Sequence, residues 1–347
     1  MAGVVATPVV AYSTTTSWIA APAIGAGDFA WLEVGRNDGN VRTVAAFRGD
    51  RLIVRTGGKN ATVVDQPCEK TPCNVVQAPV TGATGAFAYA VAFSGTGGYV
   101  ASVGATGASN LVAEDTTDPA AITTPHLITT TGSAVVWTDN NAILIAPNVG
   151  GTAAILVSAE QSGGELTSLS ASAAGIAWSA RTAAGGTMVG FRAVTGEISI
   201  RAQESTAATA TLYSVAVADD GTIVANRRTL SKGRQQLTVV AYAPDGKART
   251  LLKSVTFSKQ ESFEATRPSI AGGLVAVRRR EGQGGGQDAL WVVNLATGKS
   301  SRVTAVERST ARLSDPAFGA GRLVWARTDL SGGRLVKSCI YSAAVRG

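Results

Sequence analysis

The sequence predicts an all-β chain folded as a seven-bladed β-propeller of four-stranded antiparallel blades, with the N-terminal strand completing the last blade and closing the ring. Three observations lead there. A glycine recurs at the same place in a repeated phrase, at Gly27, Gly85, Gly132, Gly175, Gly221, Gly273 and Gly321, with intervals between 43 and 58 residues. A period of that size marks a repeat of one supersecondary unit. Each repeat divides into four short apolar runs separated by glycine-rich turns, the size of one propeller blade. The seventh repeat lacks its fourth run, and a strand-like segment, VVATPVVAY at 4–12, precedes the first repeat with no other partner.

The sixth repeat shows the division most plainly. Residues 267–304 separate into PSIAG, LVAVRRR, ALWVVNL and SSRVT, and residues 166–203 divide the same way. Gly49, Gly107, Gly151, Gly196, Gly246 and Gly298 form a second register between the third and fourth runs. Turns such as VTGE, PDGK and ATGK need a residue tolerant of positive φ there. Trp31, Trp137, Trp178 and Trp325 each follow the repeat glycine by three to five residues, which places them on second strands as packing between neighbouring sheets. A ring of sheets leaves a sticky edge unless its ends meet, so residues 4–12 are assigned to the seventh blade. The expected blades span about 18–60, 74–115, 126–160, 166–205, 212–255, 267–305 and 314–347, in one domain.

Composition agrees with that body. The 347 residues are 45% hydrophobic and 16% charged, with 40 glycines and many Val, Thr and Ala, which favours strands and turns over helices. No stretch has the apolar spacing and caps of a long helix. Residues 74–113 carry no charge, but glycines punctuate them, so no transmembrane helix is expected.

DDGTIVANRRT, PDGKARTLL and AGGLVAVRRRE with ALWVVNLATGKSSRVT resemble the WD40-like repeats of TolB-type propellers. The likeness is good over 166–347, and the intact PDG turn occurs once, at 244–246. The resemblance implies the fold and no activity.

Cys68 and Cys73 sit in the Pro-flanked loop QPCEKTPC, where a local disulfide is the plain reading. A metal site would need further ligands, and no His or second Cys pair lies near. Cys339 reads as a buried free thiol. A disulfide implies an oxidising compartment, so a secreted, periplasmic or cell-surface location is expected, with the export signal absent from this chain.

The single histidine, His126, has no polar partners beside it, and no nucleophile elbow, P-loop, HExxH or EF-hand pattern appears. No cofactor or metal is expected. Glu114–Asp115 and Asp219–Asp220 are adjacent carboxylate pairs, the second inside the turn sequence ADDG. The RGD at 48–50 is accounted for by its turn glycine, and Asn60-Ala61-Thr62 fits a glycosylation acceptor.

Charge is unevenly distributed. Residues 1–180 hold 7 Lys/Arg against 12 Asp/Glu, and residues 181–347 hold 24 against 12, within a net of +7. Arg227, Arg228, Lys232, Arg234, Arg278, Arg279, Arg280, Arg327 and Arg334 bracket the second-to-third-strand connections, so they form a candidate cationic face for an acidic polymer. A solvated rim is the plainer reading, because no aromatic residues interleave them. Three functions follow. The leading one is a non-catalytic interaction or assembly module with a protein partner or copies of itself. The alternatives are a polysaccharide- or ester-active enzyme with carboxylates at the central channel, and a polyanion binder on blades 5–7.

Overall fold

The computed structural model describes residues 4–15, 17–25, 29–34, 51–65, 75–76, 80–81, 87–92, 98–103, 109–114, 127–206, 208–258, 266–281, 286–319 and 321–346. Their strands form seven antiparallel sheets. Blade 1 is Trp18–Ile24, Phe29–Val34, Arg51–Thr56 and Lys59–Asp65; blade 2 is Val75–Val76 with Val80–Thr81, then Phe87–Ala92, Gly98–Val103 and Ser109–Glu114. Blade 3 is Ile128–Thr131, Ala134–Asp139, Ala142–Pro147 and Ala154–Val157; blade 4 is Glu165–Ser172, Gly175–Arg181, Thr187–Ala193 and Ile198–Glu204. Blade 5 is Ala210–Val217, Ile223–Ser231, Arg234–Tyr242 and Ala248–Ser258; blade 6 is Ser269–Ala271, Leu274–Glu281, Gln287–Asn294 and Ser300–Glu307. Blade 7 has Ala311–Leu313 and Ala317–Gly319 innermost, then Arg322–Ser331 and Arg334–Arg346.

The N-terminal segment supplies blade 7 with its outer strand. Val4–Val5 and Val9–Thr14 both pair antiparallel with Arg334–Arg346, in a register that sets Val5 against Val345 and Ser13 against Cys339. Ala6 N–H adds a bond to Ala344 O at 2.9 Å. First strands of successive blades touch right round the ring, from blade 1 to blade 7 and back.

There is no single central core. Seven apolar clusters fill the seven interfaces between neighbouring blades. The strand pleat explains how one run serves two of them. In the second strand of blade 1, Ala30 and Leu32 pack toward blade 2, while Phe29 and Trp31 pack toward blade 7. In blade 6, Val275 and Val277 face blade 5 and Leu274 and Ala276 face blade 7. Middle strands covered on both faces are therefore continuously apolar rather than alternating, as the sequence displays. Trp31, Trp178 and Trp325 are fully buried and Trp137 nearly so, in the packing role expected of them.

First strands cannot pair with each other across the channel, so serine and threonine side chains join them. Ser168 Oγ accepts from Val215 N at 2.9 Å and Ser170 Oγ from Val217 N at 3.2 Å. Ser172 Oγ donates to Ala218 O at 3.0 Å, and Thr131 Oγ1 donates to Ser172 O at 3.2 Å. These partners lie 41 to 47 residues apart, one blade on.

Turn chemistry follows the second glycine register: Gly196, Gly246 and Gly298 have φ of +98°, +81° and +69°. One short helix, Ala159–Ser162, follows blade 3 and is closed by a capping box between Ser158 and Gln161. Among the described residues no helix is long and apolar enough to cross a membrane.

Candidate functional site

A groove of about 830 Å³ opens where blades 4, 5 and 6 meet, on the face that carries the first-to-second and third-to-fourth turns. That size lies in the range of small-molecule sites. Ala218, Ala241, Ile270 and Leu295 give it apolar walls, while Asp219, Asp220, Lys247 and Arg249 are its charged lining.

Local sequence builds each wall. The ADDGT turn of blade 5 is closed by Gly221 N–H on Ala218 O at 2.9 Å, and Asp220 Oδ1 accepts from Thr222 N at 2.8 Å. Short acidic side chains fold back on their own turn in this way. Asp219 Oδ1 instead reaches blade 4, where it accepts from Ala173 N at 3.2 Å. Each carboxylate thus has one oxygen engaged.

The PDGK turn of the same blade and the strand after it supply the cations. Asp245 takes bonds from Lys247 N at 3.1 Å and from Lys247 Nζ at 2.7 Å. The Lys247 ammonium holds the Asp245 carboxyl below its usual range, and Asp245 raises Lys247 in return. Arg249 crosses to blade 6 and donates to Leu295 O and Ala296 O. The lining of the groove therefore combines two carboxylates of one blade 5 turn with two cations at and beyond another.

On the first strands among the described residues Glu165 is the one carboxylate, exposed and paired with Arg181 at 3.3 Å. Carboxylates of separate blades do not meet at the axis there. Among the described residues no three His, Cys, Asp or Glu side chains converge as a metal-ligand set. His126, Cys68, Cys73, Asp115 and the RGD at 48–50 lie outside the described residues, as does the Glu114 side chain. Cys339 is a buried free thiol.

The nine cationic candidates are dispersed, and they lie toward the face opposite the groove. Arg227 pairs with Glu204 at 2.6 Å, and that hydrogen bond raises its pKa. Arg228 donates to Thr211 Oγ1 at 3.5 Å. Arg279 pairs with Glu281 at 3.0 Å and lies over the Trp291 ring at 5.1 Å, while Arg327 pairs with Asp329 at 2.7 Å. Arg280 is half-buried opposite Asp288 in register, and Lys232, Arg234 and Arg334 are exposed on hairpin turns of blades 5 and 7. Arg278 is 2% exposed, and its Nε donates to Asp315 at 2.9 Å.

Two buried ionic hubs were not among the residues expected from the sequence. Glu33 accepts bonds from Tyr12 Oη (3.0 Å), Ser17 Oγ (2.9 Å), Trp31 Nε1 (3.2 Å) and Arg51 Nη2 (2.9 Å). Asp288, wholly buried, takes Arg308 Nη1 and lies 3.8 Å from Arg278 Nη1, which ties blade 6 to the entry of blade 7. Burial holds the neighbouring Arg267 guanidinium below the usual arginine range, with Asp315 opposing that shift. A carboxylate inside an apolar run, as in AWLEV or QDALWVV, was the available clue.

Known structures share this arrangement of blades. Two structures of a puromycin hydrolase, one of them a mutant complexed with PGG, match 92% of the chain at 12% and 14% identity with TM-scores of 0.55 and 0.53. An oligogalacturonate lyase in complex with manganese matches 91% of the chain and 86% of its own length, at 11% identity and a TM-score of 0.54. The chain spans about half the length of the puromycin hydrolase, 51% and 53% in the two structures. No family model matches the chain, and no curated protein does.

These comparisons establish a seven-bladed β-propeller. They also correct the leading functional expectation. The non-catalytic assembly module is not what the named neighbours of this fold exemplify, a hydrolase and a lyase, and the enzyme alternative is taken up below as a proposal.

Proposed function

We propose that this propeller belongs to an enzyme acting on a polysaccharide or an ester, with the substrate seated in the groove where blades 4, 5 and 6 meet. One observation carries the reading: a groove of about 830 Å³ with apolar walls gathers Asp219, Asp220, Lys247 and Arg249 in its lining. Few, convergent polar groups in an apolar cleft are what a substrate site needs. The fold it shares with a puromycin hydrolase and an oligogalacturonate lyase supports the enzyme class. The TolB-type repeat phrases at 219–229 and 271–304 support the same propeller superfamily.

In this reading Asp219 is the general base. One of its oxygens is held by Ala173 N–H, and the other takes a proton from water as the water oxygen bonds to the substrate carbon. The bond from that carbon to the alcohol oxygen then breaks, and the proton on Asp219 passes to the departing oxygen. Lys247 and Arg249 stabilise the negative charge that develops on the substrate oxygen. Manganese is not carried over from the lyase, since the described residues bring no ligand set together.

The test is turnover of a panel of aryl esters, aryl glycosides and a uronate polymer by the whole chain. Wild-type protein is expected to turn over one of these classes, and Asp219→Asn to lower kcat by about 10²-fold or more at an unchanged melting temperature. Absence of turnover across the panel, or an Asp219→Asn variant as active as wild type, contradicts the reading.

A further inference from the structure

A cleft of about 540 Å³ lies between blades 4 and 5. Its lining comes from the outer strand of blade 4, at Arg201 to Glu204, and from the second, third and outer strands of blade 5. Gln236, Thr238, Val240 and Tyr242 are alternate residues of one strand, so they share a face. At one end of that face Val240 and Tyr242 pack with Val189 and Phe191 of blade 4, in the core between the blades. At the other end Thr238 is half-buried and Gln236 exposed. The cleft adjoins the groove of blades 4, 5 and 6, since Ala248 and Arg249 line both.

Three side chains of this cleft keep donors in reserve. Tyr242 is 7% exposed, and its hydroxyl bonds no described residue. Burial pushes that hydroxyl above the usual tyrosine range, so it keeps its proton, and the charges of Arg227 and Glu204 both act on it. Arg227 meets Glu204 through Nε alone, at 2.6 Å, which leaves both of its Nη groups without a partner among the described residues. Arg201 donates from Nη1 to Pro244 O and lies over the Phe191 ring at 4.9 Å, while its Nε is buried with no hydrogen-bond partner. A buried donor of that kind marks a place for a water, an ion or a ligand.

The charge and shape of these groups select the ligand. Arg201 and Arg227 set against Glu204 leave one positive charge over, because the Arg249 guanidinium turns away to Leu295 O and Ala296 O of blade 6. One excess cation matches a monoanion. A fork of two Nη groups matches a carboxylate. The amides of Gln203 and Gln236 can serve hydroxyl groups, beside the apolar Ala202 and Val240. We propose that this cleft binds a sugar acid, its carboxylate held by the Arg227 Nη groups and the Tyr242 hydroxyl, and its ring hydroxyls by Gln203, Gln236 and the Glu204 carboxylate. Arg201 supplies the second cation. Binding there does not depend on turnover in the neighbouring groove.

Isothermal titration calorimetry of the whole chain with glucuronate tests this, beside glucuronate methyl ester and inorganic phosphate. Glucuronate is expected to bind once per chain at millimolar concentration or below. The ester, which has lost the charge, should bind at least about tenfold more weakly. Phosphate should also bind more weakly than glucuronate, because its second charge meets Glu204. Arg227→Gln is expected to weaken glucuronate about tenfold or more, and Tyr242→Phe about threefold or more. Tyr242→Phe keeps the buried ring, so its thermal unfolding should match wild type and its loss of affinity reports the hydroxyl. Lys247→Gln should leave the affinity unchanged. No binding of glucuronate, equal binding of the ester or of phosphate, or an affinity unaltered by Arg227→Gln or by Tyr242→Phe overturns the proposal. So does loss of binding in Lys247→Gln, which would place glucuronate in the neighbouring groove.

Discussion

Tyr12 donates its hydroxyl proton to Glu33 Oε1 across 3.0 Å, and that bond joins the closing strand of blade 7 to the second strand of blade 1. Glu33 is 4% exposed and takes three further donors, among them the wholly buried Trp31 indole. Replacing it by alanine removes the acceptor shared by Tyr12 and by the buried Ser17 and Trp31. Glu33→Ala is expected to cost about 3 kcal/mol and Glu33→Gln less, read as a lower denaturant midpoint at an unchanged m-value.

The same bond sets a high-pH limit. Burial first, and Glu33 second, push the Tyr12 hydroxyl from 10.0 up to about 12. Below pH 10 both folded and unfolded chains hold the proton, and the contribution to stability is fully present. Between pH 10 and 12 the unfolded chain releases it first, so stability falls as pH rises. Tyr12→Phe is expected to flatten that decline, measured by denaturant unfolding across the window.

Ser168 accepts from Val215 N–H in the neighbouring first strand at 2.9 Å, where both groups are buried. Ser168→Ala orphans that N–H. A loss of about 1–3 kcal/mol is expected, and faster amide exchange at Val215 is its local readout.

Gly190 stands directly opposite Trp178 in the blade 4 ladder, and the indole lies across the space a Cβ would take, 2.3 Å from its Cε2 and Cζ2. Trp178 is held there by its Nε1–H bond to Ser162 O at 2.9 Å. Gly190→Ala is expected to displace the ring, break that bond and cost about 1–3 kcal/mol, with a red-shifted tryptophan emission.

Asp288 has no exposure and faces Arg308 and Arg278. Removing one partner of a buried pair leaves an uncompensated charge, so Asp288→Ala is expected to cost about 3–5 kcal/mol. Arg278 also binds Asp315, so Arg278→Met should be costly too, and the double variant less than additive in a thermodynamic cycle.

The blades were legible in the sequence because their signals are local. Turn glycines such as Gly246 and Gly298 declare positive φ within four residues, and a run such as LVAVRRR declares a strand buried on both faces. Closure was legible too, since a seventh repeat lacking a strand and a leading segment lacking a partner answer each other.

What lies between blades was not legible. Asp219 meets Ala173 and Arg249 meets Leu295 across 46 residues, and nothing local to either sequence announces the partner. The arginine run at 278–280 shows the same boundary. A strand turns alternate residues to opposite faces, so Arg278 enters the interface with blade 7 while Arg279 lies on Trp291. Read as a string, the three had looked equivalent.

Ser13 stands opposite Cys339 where the closing strand meets the third strand of blade 7, and opposed residues of antiparallel strands project to one face close enough for a disulfide. The most direct measurement is therefore the state of those two thiols in a Ser13→Cys chain that also carries Cys68→Ser and Cys73→Ser. After mild oxidation, titration of the denatured chain should find no free thiol, and peptide mapping should join residues 13 and 339 of one molecule. Two free thiols, or crosslinks only between molecules, would show that the chain's opening residues do not complete its last blade.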